Sequence, residues 1–316
     1  MREITYAEAG MEALVEELRR DPKTFELSTD AIPSLVDEFG KKRIRAAPIA
    51  ESAFTGMSIG AAGSGYRPIV NWRQITFAFV AMDQIVNQAA KIHYMFGGQQ
   101  TFPVTFRAAV GGGTKLAAQH SQSPYSMFMN LAGMKIILPS NPYDMKGLLK
   151  AAIRDNNPVI SFEANRLMGM RGQVPEGDYT VPIGVADVKR EGTDITVVAI
   201  AWMVPEALAA AGILEKEGVS VEVLDPRTLV PMDAETIRVS VQKTSRLLVA
   251  DEAGPTAGAS AEIISLVTED AKTFASLKAP VSRVCALEAP IPYSPVLEDH
   301  VFPNRERIAE GIRAAM

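Results

Sequence analysis

The stretch PIAESAFTGMSIGAAGSGYRPIVNWRQITFAFVAMDQ, residues 48–84, decides how the chain is read. Pro48 fixes the entry to a segment in which one carboxylate, Glu51, heads a run rich in Ala, Gly and Ser. A helix of such small residues lets other backbone or a flat ligand come close. A strand is predicted over 67–72. Beyond it the apolar stretch 77–94 reads as one long helix buried on several faces, in a core or at a subunit interface. Glu51 itself admits two readings. At a helix N-terminus the dipole favours a carboxylate. In a dry site the acid must be neutral or share its proton with a partner.

Working outward, Ala7, Met11, Leu14, Val15 and Leu18 form a helical apolar stripe ended by Asp21 and Pro22. A short apolar run (24–27), a small helix (32–39) and a basic turn (40–45) follow. Downstream, PVTFR (103–107), MKIIL (134–138) and PVISFE (158–163) are β-rich runs separated by helical segments such as 143–154. Strands alternating with helices imply an α/β domain, a parallel sheet with helices on both faces. Residues 164–182, with glycines, prolines and mixed charge, read as an interdomain connection. The alternation then resumes: strands over 194–201, 220–224, 245–249 and 281–286, helices over 204–217, 233–242 and 257–268. The predicted organisation is a first domain over 1–175, a linker over 176–184 and a second, smaller α/β domain over 185–316.

With 316 residues, the chain exceeds one ordinary core. Hydrophobic residues make up 47% and charged residues 22%, the balance of a globular protein. A net charge of −5 with dispersed Lys and Arg argues against nucleic acid or an anionic membrane as partner. Cys285 is the only cysteine, so one chain has neither a disulfide nor a thiolate metal site. The first twenty residues read as an acidic amphipathic helix rather than a targeting signal, and no apolar run reaches membrane-spanning length. The predicted location is cytoplasmic.

Three histidines are present. His93 lies within the long apolar stretch and His300 in an acidic C-terminal segment, both structural or surface positions. His120 is different. It lies in QHSQS (119–123), just after the glycine turn VGGGTK (110–115), beyond a strand end where α/β proteins place ligands. An imidazole there can give or take a proton near neutrality, or simply be a solvated loop residue. GGGTK lacks the Walker spacing, no GxGxxG follows the first strand, and no acid and histidine spacing suggests a catalytic transition metal. Phe77 and Phe79 read as core residues, or as aromatics that could stack on a flat ring.

Taken together, PIAES (48–52), RPI (67–69) with TFAF (76–79) and MDQI (82–85), QHSQS, LPSNPYDMKGLLKAAIRDNN (138–157) and LDPRTLVPMD (224–233) name a family. The chain resembles the beta subunits of thiamine-diphosphate-dependent 2-oxo-acid dehydrogenases, which include the pyruvate, branched-chain and acetoin enzymes. The match is colinear over almost the whole chain. It implies a transketolase-like pyrimidine-binding domain followed by a transketolase C-terminal-like domain. It also implies oxidative decarboxylation of a 2-oxo acid, or cleavage of an acetoin-like substrate, with acyl transfer to lipoamide. By this resemblance Glu51 hydrogen-bonds the cofactor's aminopyrimidine at N1′ and shares its proton, Phe77 stacks on the pyrimidine, and His120 serves the substrate and the incoming lipoyl group. Val104, Ala152, Ile153, Asp155 and Asn157 match a structural potassium site.

The family's GDG motif for magnesium and diphosphate is missing, so the chain carries half a site. The resemblance therefore implies an alpha-type partner that holds magnesium, in an α2β2 assembly. It further implies a lipoyl-carrying acyltransferase core that meets Glu288 and the carboxylate of Met316. Two departures stand out. The family's Gly-Glu-Asp or Gly-Glu-Glu segment is here Leu27-Ser28-Thr29-Asp30, and the acid before Pro48 is replaced by Ala46-Ala47. Segments YMFGG (94–98) and LMGMRGQVPEGDY (167–179) look closest to acetoin-type members. Two alternatives remain open at this point: a transketolase-like transferase half-subunit, and a noncatalytic interaction subunit.

Overall fold

The computed structural model describes residues 1–316. Internal contacts divide the chain into two compact units, Met1–Val110 with Met127–Ile183, and Gly111–Ser126 with Gly184–Met316.

The first unit runs β1 (Arg2–Thr5), α1 (Tyr6–Arg20), β2 (Thr24–Ser28), α2 (Pro33–Phe39), β3 (Ile44–Ala46), α3 (Glu51–Gly63) and β4 (Arg67–Gln74). It continues with α4 (Ile92–Met95), β5 (Thr105–Val110), α5 (Ser126–Met129) at the boundary, β6 (Lys135–Ile137), α6 (Pro142–Arg154), β7 (Val159–Ala164) and β8 (Arg171–Val174). Strands β6-β7-β5-β4-β2-β3 lie side by side, every neighbour parallel, as the alternation predicts. Such strands are covered on both faces, and β7 is buried along its whole length.

Helix α1 begins in a capping box. Thr5 Oγ1 accepts the Glu8 N–H at 3.1 Å and the Glu8 carboxylate accepts the Thr5 N–H at 2.7 Å. Its buried stripe of Ala9, Ala13, Leu14 and Leu18 faces inward. The buried Lys146 and Lys150 of α6 reach Glu16 of α1, the first at 2.7 Å, while Arg154 meets the buried Glu17 at 2.6 Å. Pairing with Glu16, and for Lys150 also with Asp178, explains how two ammonium groups one turn apart stay buried.

Two predicted features come out differently. Residues 75–95 are not one α-helix: a 3₁₀ segment, Ile75–Ala81, leads into a π segment, Gln84–Ala89, and then the short α4. Burial is also one-sided. Ile75, Ala78, Ala81, Ile85 and Ala89 are buried, whereas Val80, Tyr94, Met95 and Phe96 are exposed. Apolar residues all round a helix carry no phase, so the sequence alone does not choose the face or pitch. The second difference is β8, which lies within the expected connection and pairs antiparallel with β1, Arg2 opposite Val174.

In the second unit come β9 (Asp187–Arg190), β10 (Ile195–Ala199), α7 (Met203–Glu215), β11 (Val221–Asp225), β12 (Thr228–Val230) and α8 (Ala234–Thr244). After them follow β13 (Leu247–Asp251), α9 (Ala259–Thr268), α10 (Ala271–Ser276), β14 (Ser282–Cys285), α11 (Pro295–Val301) and α12 (Arg305–Ala315). The sheet order is β14-β13-β10-β11-β9, parallel except for the edge strand β9. Its core packs Ile195, Val197, Val223 and Leu248 against Ala207 and Ala211 of α7 and Ile308 and Ile312 of α12. Strand β9 and helices α10 to α12 have no counterpart in the sequence reading. No helix is long and apolar enough to cross a membrane.

Candidate active site

Glu51 is the first residue of α3 and is only 6% exposed. Ala50 offers no side-chain cap, so the charged end of the helix is met by the carboxylate of its own first residue. Around it opens a cavity of about 610 Å³, lined by Ile49, Ala53, Gly56, Met57, Val80 and Gln84 among others. The small-residue run has a visible purpose here. A Cβ on Gly56 would come within 2.8 Å of the Gln84 amide oxygen, so glycine lets the π segment lie against α3. Trp72 Nε1 donates to Thr55 Oγ1 at 2.9 Å, anchoring α3 to the strand behind it. Phe77 is half-buried on the 3₁₀ segment, one turn before the cavity residue Val80.

A second acid escaped the sequence reading. Thr24, Glu26 and Ser28 share one face of β2 and are all buried. Burial pushes the Glu26 carboxyl above its ordinary range, against the pull of Arg107. Arg107 forms a bidentate pair with Glu163 at 2.6 and 3.0 Å. The signal was present in TFELS, where polar residues alternate along a strand that a parallel sheet buries. Asp30, which ends the segment standing where the family carries Gly-Glu-Asp or Gly-Glu-Glu, is exposed.

His120 belongs to the second unit. It is half-buried, and its N–H donates to the Ala117 carbonyl at 3.2 Å. The glycine turn before it is fastened at several points: the Gly113 N–H donates to Glu298 Oε1 at 2.6 Å and the Gly111 N–H to the Gln122 carbonyl at 3.0 Å. Ser123 Oγ donates to Glu252 at 3.1 Å.

The oxygens of the five-residue cation set lie in the first unit and are engaged. Val104 O accepts from the Val159 N–H at 3.0 Å and Ala152 O from Thr105 Oγ1 at 3.2 Å. Ile153 O and Asp155 O both accept from Arg67 Nη1, at 3.2 and 2.9 Å. Lys135 meets the Asp155 carboxylate at 2.5 Å, and Asn157 donates to its other oxygen at 2.8 Å. The chain holds no group of three or more His, Cys, Asp or Glu side chains suited to a metal ion.

Residues 2–170 match the family model described as transketolase, pyrimidine binding domain, and residues 184–308 match transketolase, C-terminal domain. The chain belongs to this transketolase-type family. Among its relatives, the acetoin:2,6-dichlorophenolindophenol oxidoreductase subunit beta of Bacillus subtilis (strain 168) is 46% identical, covering 87% of this chain and 80% of the relative. The subunit of the same name from Cupriavidus necator is 42% identical over all of this chain and 98% of the relative. The mitochondrial pyruvate dehydrogenase E1 component subunit beta of Homo sapiens is 39% identical, covering 99% and 91%. A solved structure described as a split gene transketolase, inactive beta4 tetramer, shares the fold with a TM-score of 0.82 at 24% identity, over 99% of this chain and 98% of that one.

The family implies thiamine diphosphate, and the first unit fits one end of it. A buried carboxyl at a largely apolar cavity suits a flat heteroaromatic ring with a ring nitrogen to bond, and Gly56 keeps the floor low enough for it.

Proposed function

We propose that the chain is the beta subunit of a thiamine-diphosphate-dependent dehydrogenase. It would act, in the cytoplasm, on acetoin or a 2-oxo acid and pass the acyl group to lipoamide, with an alpha-type partner in an α2β2 assembly. The observation that carries this reading is Glu51: a carboxyl held on the first turn of a small-residue helix, at the wall of an apolar cavity, in a domain of the pyrimidine-binding family. Such a group can share a proton with the N1′ of an aminopyrimidine. Thiamine diphosphate, when bound, supplies the carbanion chemistry that side chains lack. Glu51 orients the ring and holds a proton at N1′, Phe77 offers an aromatic face to the ring, and His120 gives or orients a proton at the reacting oxygen or the lipoyl sulfur. The higher identity to the two acetoin relatives supports acetoin first among substrates.

Magnesium, with the diphosphate, falls to the alpha partner, since the GDG motif that holds it in the family is missing from this sequence. A potassium ion on Val104, Ala152, Ile153, Asp155 and Asn157 would share its carbonyls with the Arg67 guanidinium. Melting in potassium chloride against tetramethylammonium chloride tests it: a potassium-specific rise supports the metal, and equal midpoints leave Arg67 as the cation of that site.

Co-expression with the alpha partner, and dye reduction with acetoin, pyruvate or branched 2-oxo acids, tests the whole reading. Turnover of one substrate that disappears without thiamine diphosphate is expected. An assembly that binds the cofactor yet turns over none of these substrates would overturn it.

A further inference from the structure

We propose that Glu298, assisted by Glu252, is a positioning residue that sets the conformation of the His120 loop. The proposal rests on the reading of His120 as a proton-handling group.

The backbone before His120 is unusual. Four residues in seven are left-handed: Gly111 (φ 80°), Gly113 (φ 104°), Lys115 (φ 57°) and Ala117 (φ 61°). Glycine accepts this freely, but Lys115 and Ala117 carry a Cβ that opposes it. Backbone of this kind persists only where the surroundings hold it.

Those surroundings are two buried carboxylates and an aromatic ring of the same unit. Glu298, 0% exposed, accepts the Gly113 N–H at 2.6 Å and lies 3.3 Å from Lys115 Nζ, which also reaches Asp299 at 2.8 Å. Glu252, 2% exposed, accepts from Ser123 Oγ on the far side of His120. The fit leaves no slack: a Cβ on Gly111 would approach Glu252 to 2.4 Å, and one on Gly112 would approach the Phe302 ring to 2.2 Å. One carboxylate thus holds the loop before the histidine and the other holds it after.

A buried carboxylate is costly unless its oxygens are met, and a glycine turn open to solvent could be satisfied by water alone. Glu298 instead directs one oxygen, Oε1, at both a loop N–H and the side chain of a left-handed residue. Beneath the loop, Ser121, Ser123, Glu252, Leu287 and Phe302 border a cavity of about 500 Å³. A loop released from its carboxylates has room to move into it.

The test uses the assembled enzyme with its alpha partner and compares Glu298→Gln, Glu298→Ala, Lys115→Ala and His120→Ala. Glutamine keeps an oxygen for the Gly113 N–H but loses the ion pair with Lys115, and alanine loses both. Hydrogen exchange over residues 111–126 is expected to quicken about tenfold in Glu298→Ala and less in Glu298→Gln, with the rest of the chain unchanged. Turnover should fall about tenfold in Glu298→Ala and be partly rescued by glutamine, with thiamine diphosphate affinity preserved and the pH profile altered. Should the alanine variant not fold, Glu298→Gln and Lys115→Ala are read in the same way, with smaller effects of the same kind. Wild-type exchange in the loop, or exchange raised throughout the unit, overturns the proposal. So does a loosened loop with normal turnover while His120→Ala is inactive. If His120→Ala is itself fully active, it is the role of His120 that fails, and exchange alone then decides whether the carboxylates hold the loop.

Discussion

Around Glu51 the wall is thin: Ile49 is 85% exposed, Val80 68% and Met57 54%, all apolar and all lining the cavity beside the carboxyl. Around His120 the wall is thick. There the turn is closed by Glu298, Glu252 and Phe302, and a single added methyl group would collide. One region places its apolar residues on the surface, and the other fastens its loop to buried carboxylates. Contiguous exposed apolar surface beside a functional acid marks a place for another chain. A loop fastened by buried carboxylates of its own unit needs no partner to acquire its shape. On the proposed reading, the chain leaves its cofactor end for assembly to complete and brings its histidine end ready-made.

The largest effect should come from the acid itself. Glu51→Gln is expected to reduce turnover about a thousandfold while leaving folding and assembly intact, because an amide cannot share the proton. Steady-state kinetics beside circular dichroism and sedimentation would check it, and near-normal turnover would remove Glu51 from the chemistry.

The second prediction probes how self-contained the His120 side is. Asp251 is fully buried and accepts from Tyr125 Oη and, at 2.9 Å, from the Ala253 N–H. Burial pushes its carboxyl up to about 6. Such a group costs stability once ionised: the cost is absent below pH 4, grows from there to pH 6 and is complete above. Asp251→Asn removes it, so the stability difference, mutant minus wild type, should rise with pH over that window by no more than about 3 kcal/mol. Denaturant melts at pH 4, 5, 6 and 7 measure this, and a flat or falling difference would contradict it.

A smaller effect tests the thin wall. Val80→Glu places a charge in the proposed contact and should weaken alpha-partner binding about tenfold without changing the melting of the free subunit. Unchanged assembly would mean that the apolar rim is not the partner's surface. The smallest effect concerns the exposed Glu288, which accepts from Thr256 Oγ1. Glu288→Lys should weaken binding to a basic domain of the lipoyl core a few-fold and reduce its salt dependence, the usual size for a rim charge. Equal affinity and equal salt slope would exclude it from that contact.

Much of the fold was legible because buried parallel strands announce themselves: ITVVA and VISFE can hardly be anything else. The first twenty residues, read as one helix, instead open with strand β1, and α1 starts only at Tyr6. Glu51 was legible as the head of a helix. The rest lacked a local signal. Helical pitch over 75–95 depends on packing that an all-round apolar pattern does not encode, and β8 hides among glycines because its partner, β1, is at the other end of the unit. Glu26 drew no notice because nothing local shows that its strand lies between β4 and β3 and is covered on both faces. Nothing near GGGTK shows that a carboxylate 185 residues away holds it.

That separation has a consequence for biosynthesis. Synthesised N-terminus first at about 5–20 residues per second, the loop emerges on the order of ten to thirty seconds before Glu298 does. During that interval the strands of the first unit are all completed, β7 at Ala164 and β8 at Val174, while the strained turn has nothing to hold it. The nascent chain therefore passes through a stage in which its pyrimidine-side half is complete and its histidine is slack. Arrest of translation between residues 183 and 298 should leave protease-sensitive sites at 111–126, which the finished chain closes.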